Sequence, residues 1–216
     1  LNQSMLEVLQ KKIQNTLLTF TNQRALFWDA EKILILSDLH VGKSAHFRKH
    51  GIAIPSEVLI ADLKRLEDLM IHFQPQKIII VGDLFHAGYN SDLDLFKDWR
   101  KQFTQQFILI RGNHDRLKRE IYEELGIECE EEFLFIEPFT FIHHPEKMKD
   151  RFYISGHIHP GFVLKTKNER LRLPCFAVSE QQIVLPAFSL FTGLDTKTLQ
   201  GKFKNIIFTE GTIFEV

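Results

Sequence analysis

Only two cysteines, Cys129 and Cys175, occur among the 216 residues. They stand far apart, with no C-x-x-C pair, which excludes a disulfide scaffold and suits a reducing compartment; Cys175, inside LPCFAV, reads as core. No apolar run approaches the roughly 18 residues of a membrane span. The N-terminus, which opens on Leu1, lacks the basic and apolar regions of a signal peptide, so a cytoplasmic location without membrane contact is expected. Charge of one sign is also missing: 27 basic and 28 acidic residues leave a net −1. That excludes a protein coating nucleic acid through a global field, and any such contact must use local patches. Internal repeats, low-complexity tracts and Pro/Gly/Ser-rich linkers are absent too. One domain spanning 1–216 is expected, with residues 1–15 helical or frayed. What remains is the composition of a soluble globular chain, 44% apolar and 25% charged, long enough to bury a core without staples.

The apolar pattern alternates between two kinds of segment. NTLLTFT and RALFWD read as short strands turning at Asn22 and Gln23. KILILSD, KIIIVGD and QFILIRG are continuous apolar runs, the mark of strands covered on both faces. Between them, Leu59, Leu63, Leu66, Met70 and Phe73 step by four and three along a helix opening at Pro55 and Ser56. A second helix is expected to be capped at Ser91, with Asp94 three residues on and Phe96, Trp99 and Phe103 inward. A third is expected from Asp115 to Gly126. EFLFIE, FTFIHH and RFYISGH then read as strands, and GFVLKT, RLRLPCFAV, QQIVLPAF and NIIFTEGTIFEV make the C-terminal third β-rich. Such an order implies an α/β fold of two packed sheets with helices outside.

Five of these strands each end in a polar cluster. Asp38 and His40 follow KILIL, Asp83 and His86 follow KIIIV, and Asn113, His114 and Asp115 follow FILI. His143 and His144 follow FTFI, and His157 and His159 follow FYIS. Strand C-terminal ends lie side by side in open α/β sheets, and their loops converge on one crevice. Seven of the ten histidines fall in or just after these clusters; His46, His50 and His72 lie on expected helices or loops. Carboxylate, amide and imidazole together suit divalent manganese, iron or zinc, and the lack of cysteine ligands argues against structural zinc. Alternation along an extended chain would point Asp38 with His40, and His157 with His159, to one side. Gly82, Gly112 and Gly156 precede the clusters where close backbone approach is needed. Taken singly the pieces have ordinary readings: D-x-H as a helix cap, GDLFH as a turn with a loop histidine, GNHD as an Asn/Asp turn, the His pair as structural. Their ordered recurrence at five strand ends is what those readings leave unexplained.

The set SDLH, GDLFH, RGNHD, IHH and GHIH resembles the calcineurin-like metallophosphoesterase superfamily, over about Lys32 to Pro160. That resemblance implies a four-layer α-β-β-α sandwich, two mixed sheets flanked by helices. It also implies a ligand set: Asp38, His40, Asp83 and His159 on one metal, and Asp83, Asn113, His143 and His157 on the other. His114 would sit over the substrate phosphate with Asp115 orienting its ring. The superfamily often has His-Gly at His143 and His144, so either histidine is open as the ligand. SDLHVGKSAHFRKHGIAIP, GHIHPG, RLPCF and LPAFSLFTG resemble more closely the bacterial ligase-associated DNA-damage-response phosphoesterase family, PdeM-like, over 24–195. Membership implies two divalent ions, manganese first with iron and zinc as alternatives, and a phosphodiesterase or endonuclease working beside a DNA ligase and a helicase. GDLFH also resembles a repair-nuclease loop whose histidine at the place of His86 contributes to diester cleavage.

Phosphate esters hydrolyse so slowly unaided that a strong nucleophile and charge neutralisation are both required. A pair of cations activating a water between them supplies both. Lys43, Arg48 and Lys49 follow the first cluster, and Arg116, Lys118 and Arg119 the third, as candidate seats for a polyanion or as solvated helix faces. Three functions fit: a nucleic-acid phosphodiesterase, an enzyme for a small nucleotide or other phosphate ester, or a non-catalytic binding module on the same fold.

Overall fold

The computed structural model describes residues 5–49, 51, 57–86, 88–145, 151–165, 167, 169–199 and 203–216. The expected helix start at Pro55 and Ser56, His50 and the Lys49 side chain lie outside the described residues. Strands β1 (Val8–Ile13), β2 (Thr16–Thr21), β3 (Leu26–Trp28) and β4 (Ile33–Leu36) come first. Helices α1 (Lys43–Lys49) and α2 (Glu57–Phe73) lead to β5 (Lys77–Val81), α3 (Ser91–Arg100), β6 (Gln106–Ile110), α4 (Arg119–Glu124) and β7 (Ile127–Glu130). The rest is strand: β8 (Phe133–Ile136), β9 (Phe139–Ile142), β10 (Phe152–Ser155), β11 (Gly161–Lys165), β12 (Arg170–Val178), β13 (Gln182–Val184), β14 (Lys204–Thr209) and β15 (Thr212–Glu215).

These strands form two mixed sheets flanked by helices. The first has seven strands in the order β1 to β7, antiparallel through β4 and parallel from β4 to β7. The second has eight, in the order β15-β14-β12-β13-β10-β9-β8 with β11 on β12; β9, β10 and β13 run parallel. Period-two alternation divides the buried strands between two cores. Leu34 and Leu36, Ile78 and Ile80, and Phe107 and Leu109 pack against α2, α3 and α4, where Leu59, Leu63, Leu66 and Met70 present the expected stripe. Ile33, Ile35, Ile79, Val81, Ile108 and Ile110 face the second sheet and meet Phe139, Phe141, Ile154, Phe176 and Phe208. That double burial is why the β4, β5 and β6 sequences read as unbroken apolar runs.

Three local expectations change. Residues 8–13 form a strand paired with β2 over its whole length, not a helix or a frayed end; Lys11 on its half-buried side pairs with Glu215 and interrupts the apolar alternation. The cap of α3 is Asn90, whose side chain accepts the Asp92 amide, rather than Ser91. Between Asp115 and Gly126 only Arg119–Glu124 is helical, because the Asp115 carboxylate ties back to the Gly112 amide and holds the preceding turn open.

Candidate metal centre

The parallel trio β4, β5 and β6 and the parallel pair β9 and β10 end at a common edge between the two sheets, and the five polar clusters meet there. Asp38 is fully buried, and His40, Asp83 and His143 are nearly so. His40 Nε2 stands 3.9 Å from Asp38 Oδ1 and the same distance from Asp83 Oδ2. His159 Nε2 is 3.1 Å from Asp38 Oδ1. On the other flank, His143 Nε2 is 3.5 Å from Asp83 Oδ2 and 3.3 Å from Asn113 Oδ1. His157 packs on His143 with ring centroids 5.0 Å apart.

The backbone makes this convergence possible by an unusual means. Asp38, His40, Asp83, His157 and His159 all have positive φ, between 50° and 68°. Non-glycine residues rarely adopt that region, and such strain clusters where the surrounding structure enforces it for function. The paired residues Asp38/His40 and His157/His159 therefore point inward through left-handed turns, not through strand alternation. The glycines act as expected by close approach. A Cβ on Gly82 would sit 1.9 Å from His143 Nδ1, and one on Gly112 would sit 2.2 Å from Asp83 Oδ1.

Backbone hydrogen bonds aim the ligand atoms. His143 Nδ1 bonds the Val81 carbonyl at 3.0 Å, which fixes its ring and leaves Nε2 for the cradle. Asp83 accepts the His114 amide at 2.9 Å and Asp38 the His157 amide at 3.1 Å. Asp115 accepts the amides of Phe85 and Gly112, each at 2.9 Å. Both its oxygens are thus engaged by backbone, so it staples the loops after β5 and β6.

The donor set fits divalent cations. Both His40 ring nitrogens are buried without a hydrogen-bond partner, a state that costs about 1–3 kcal/mol per group unless something outside the chain satisfies it. Atoms sharing a cation at about 2.1 Å must stand roughly 3–3.4 Å apart, and the spacings above run from that to slightly looser. Asp38, His40 and His159 form one group able to hold an ion, Asp38, Asp83 and His143 another, and His143, His144 and His157 a third. His144 is exposed and packs at a tilt against His157, ring centroids 4.1 Å apart, while His143 faces Asp83 and Asn113. Geometry thus favours His143 over His144 as the inner donor.

The profile of calcineurin-like phosphoesterases matches residues 31–166, more than half of the chain. The chain belongs to the calcineurin-like phosphoesterase family. It is accordingly a metal-dependent phosphoesterase. Among solved structures, nuclease MPE from Pseudomonas putida is 31% identical, with a TM-score of 0.84 over 97% of this chain and 100% of that one. A protein of unknown function from Aquifex aeolicus is 18% identical over 59% of this chain and 78% of its own, with a TM-score of 0.45. Yfce, a phosphoesterase from E. coli, is 12% identical over 85% and 97%, also at 0.45. No curated protein matches the chain.

Electrostatics in this phosphoesterase cradle follow from burial and from two carboxylates facing imidazoles. Burial works to raise Asp38 and Asp83, but His159 and His143 beside them hold both below the ordinary carboxylate range. Burial depresses His40 to about 3, against the pull of Asp38 and Asp83, so it is neutral. His143 is the exception: burial opposes its charge, yet Asp83 and Asp38 raise it to about 9.

Beyond the cradle runs a line of rings. His114 stacks on His86 at 4.7 Å and 22°, His86 lies 5.3 Å from His40, and His46 on α1 lies 5.7 Å from His86. His46 lies outside the five strand-end clusters, and its place in a basic helix segment carries no signal for the site. Of the basic residues, Arg48 pairs with Asp92 and Arg119 with Glu123, while Arg116 bonds the Asn113 carbonyl at 2.9 Å.

Proposed function

We propose that this phosphoesterase cleaves phosphodiester bonds in nucleic acid with two divalent cations, manganese foremost, and serves DNA repair in the cytoplasm beside a ligase and a helicase. The observation that carries the reading is the approach of Asp83 to both flanks, 3.9 Å from His40 and 3.5 Å from His143. Likeness to the P. putida nuclease along nearly the whole chain supports nucleic acid as substrate. The repair setting and its partners rest on the resemblance of the extended motifs to the ligase-associated family.

In this reading Asp38, His40, Asp83 and His159 hold one cation, and Asp83, Asn113, His143 and His157 the other. Divalent cations, when bound, neutralise phosphoryl charge and make water acidic enough to attack near neutral pH. The chain supplies the rest. His114, held by its amide on Asp83, faces the phosphate and protonates the leaving oxygen. His86, stacked on His114, fixes that ring and meets the second ester substituent of a diester. Asp115 keeps the two loops in register.

A near-zero net charge favours a second reading, a small phosphodiester or nucleotide monoester as substrate. One assay ranks the two: a single-stranded oligonucleotide, a small diester and p-nitrophenyl phosphate compared under manganese, magnesium and zinc, with Asp83→Ala as control. Cleavage of the oligonucleotide and the diester, lost in the control, is expected. Turnover of the monoester alone would contradict the nuclease reading.

A further inference from the structure

We propose that Phe191 and helix α1 form a stacking platform for an unpaired nucleobase next to the scissile phosphate, with Lys43 contacting the strand's flanking phosphate. The proposal rests on the nucleic-acid reading above and narrows it to single-stranded substrate.

The segment that carries Phe191, residues 185–193 (LPAFSLFTG), is built into the site from two sides. Phe188 donates its amide to the Ser37 carbonyl at 2.8 Å and Ser189 to the Asp38 carbonyl at 3.2 Å, so the segment hangs on the backbone of the cradle itself. From the other side, Arg65 on α2 bonds the Phe188 carbonyl, lies 4.3 Å over the Phe188 ring and pairs with Asp62 at 2.9 Å. Asp62 accepts the Leu190 amide at 3.2 Å, and Arg24 donates to the Ala187 carbonyl at 2.9 Å. Burying an ion pair is costly, and here every remaining bond of the pair is directed at holding this one loop.

Past those anchors the loop stops burying its apolar groups. Leu190 is 53% exposed and Phe191 half-buried. Phe191 meets Phe47 edge-on at 5.6 Å, and the Lys43 ammonium stands 5.7 Å from its ring. Lys43, His46 and Phe47 are spaced i, i+3 and i+4, so they share one face of α1. Through His46 that face also touches the ring line running to His40. Among the described residues no carboxylate lies within ion-pair distance of Lys43; burial lowers its pKa, and the charges of Asp38 and Asp83 only partly offset this. A cation and an aromatic ring side by side, next to a phosphoester centre, match one phosphate–base unit of a strand better than a bare phosphate. A base within a duplex has both faces occupied, so the occupant is unpaired.

Manganese-loaded wild type, Phe191→Ala, Phe191→Tyr and Lys43→Gln should be compared on a single-stranded oligonucleotide and on methyl p-nitrophenyl phosphate. Phe191→Ala is expected to lower oligonucleotide kcat/KM on the order of tenfold more than that of the small diester, chiefly through KM, with Tyr restoring it. Lys43→Gln should shift the same ratio in the same direction. Binding of a fluorescent oligonucleotide to metal-free protein should weaken in parallel with the Phe191→Ala loss. Equal losses on both substrates, no loss, or failure of Tyr to rescue would overturn the platform while leaving the nuclease reading intact. If wild type cleaves the small diester and no oligonucleotide, the nuclease reading falls and takes the platform with it.

Discussion

His143 Nε2 lies 3.5 Å from Asp83 Oδ2 while its Nδ1 is held by the Val81 carbonyl. In the metal-free protein the two form an ion pair, because Asp83 and Asp38 lift the imidazole to about 9 against the opposing effect of burial. A cation binding there must displace that proton. Calorimetric titration of manganese at pH 7.5 in buffers of different ionisation enthalpy should therefore show release of about one proton, with apparent affinity rising about tenfold per pH unit up to pH 9. Binding without proton release would contradict the assignment.

The same pair sets how metal-free stability depends on pH. The folded value of His143 lies above the unfolded value of about 6.5, so its contribution is fully present below pH 6.5 and is lost as pH rises through about 9. His40 acts in the opposite sense. Its folded value is depressed to about 3, so stability falls as pH drops from about 6.5 towards 3. Thermal melts of the metal-free protein should show losses on both sides of a maximum near pH 6–7. A flat profile across this range would sink both attributions.

Gly82 tests the close packing behind His143. With φ at +84° and a Cβ position 1.9 Å from His143 Nδ1, Gly82→Ala must move that ring and strain the backbone, at a cost of roughly 1–3 kcal/mol. Manganese affinity should fall with it. Gly211→Ala, where nothing lies within 4 Å, is the matched control and should change neither. Equal melting curves for the two variants would refute the role given to Gly82.

Asp115→Ala removes the acceptor of two backbone amides, Phe85 and Gly112. Leaving them unpaired in a buried site should cost about 2 kcal/mol or more of stability and lower kcat by displacing Asp83 and Asn113. A variant with normal stability and a lowered kcat alone would show that Asp115 acts on substrate and not as a staple.

His114→Ala should lower kcat on the order of a hundredfold, as removal of a general acid does, with metal stoichiometry retained. The loss should shrink for p-nitrophenyl leaving groups, which depart without a proton. Equal losses for good and poor leaving groups would exclude proton donation.

Much of this site is legible in the sequence because the chemistry sits where the strand pattern ends. KILIL, KIIIV and FILI mark buried strands by sustained apolar runs, and the first polar residues after them are the ones the fold gathers. What stays hidden depends on partners far away along the chain. Lys11 conceals strand β1 because its counter-charge is Glu215. Asp115 reads as a partner for its neighbour His114, yet its bonds go to backbone. The positive φ values of Asp38, His40, Asp83, His157 and His159 leave little mark, since Asp and His, though enriched in the left-handed region, adopt it in only a minority of cases. His46 joins the site through His86, and Phe191 through Phe47 on α1, which lies more than 140 residues earlier in the chain.

The most direct test is anomalous diffraction from crystals soaked in manganese. Two peaks about 3.5–4 Å apart are expected, one among Asp38, His40 and His159 and the other among Asn113, His143 and His157, with the Asp83 carboxylate between them. A single peak, or peaks away from these side chains, would contradict the two-cation centre.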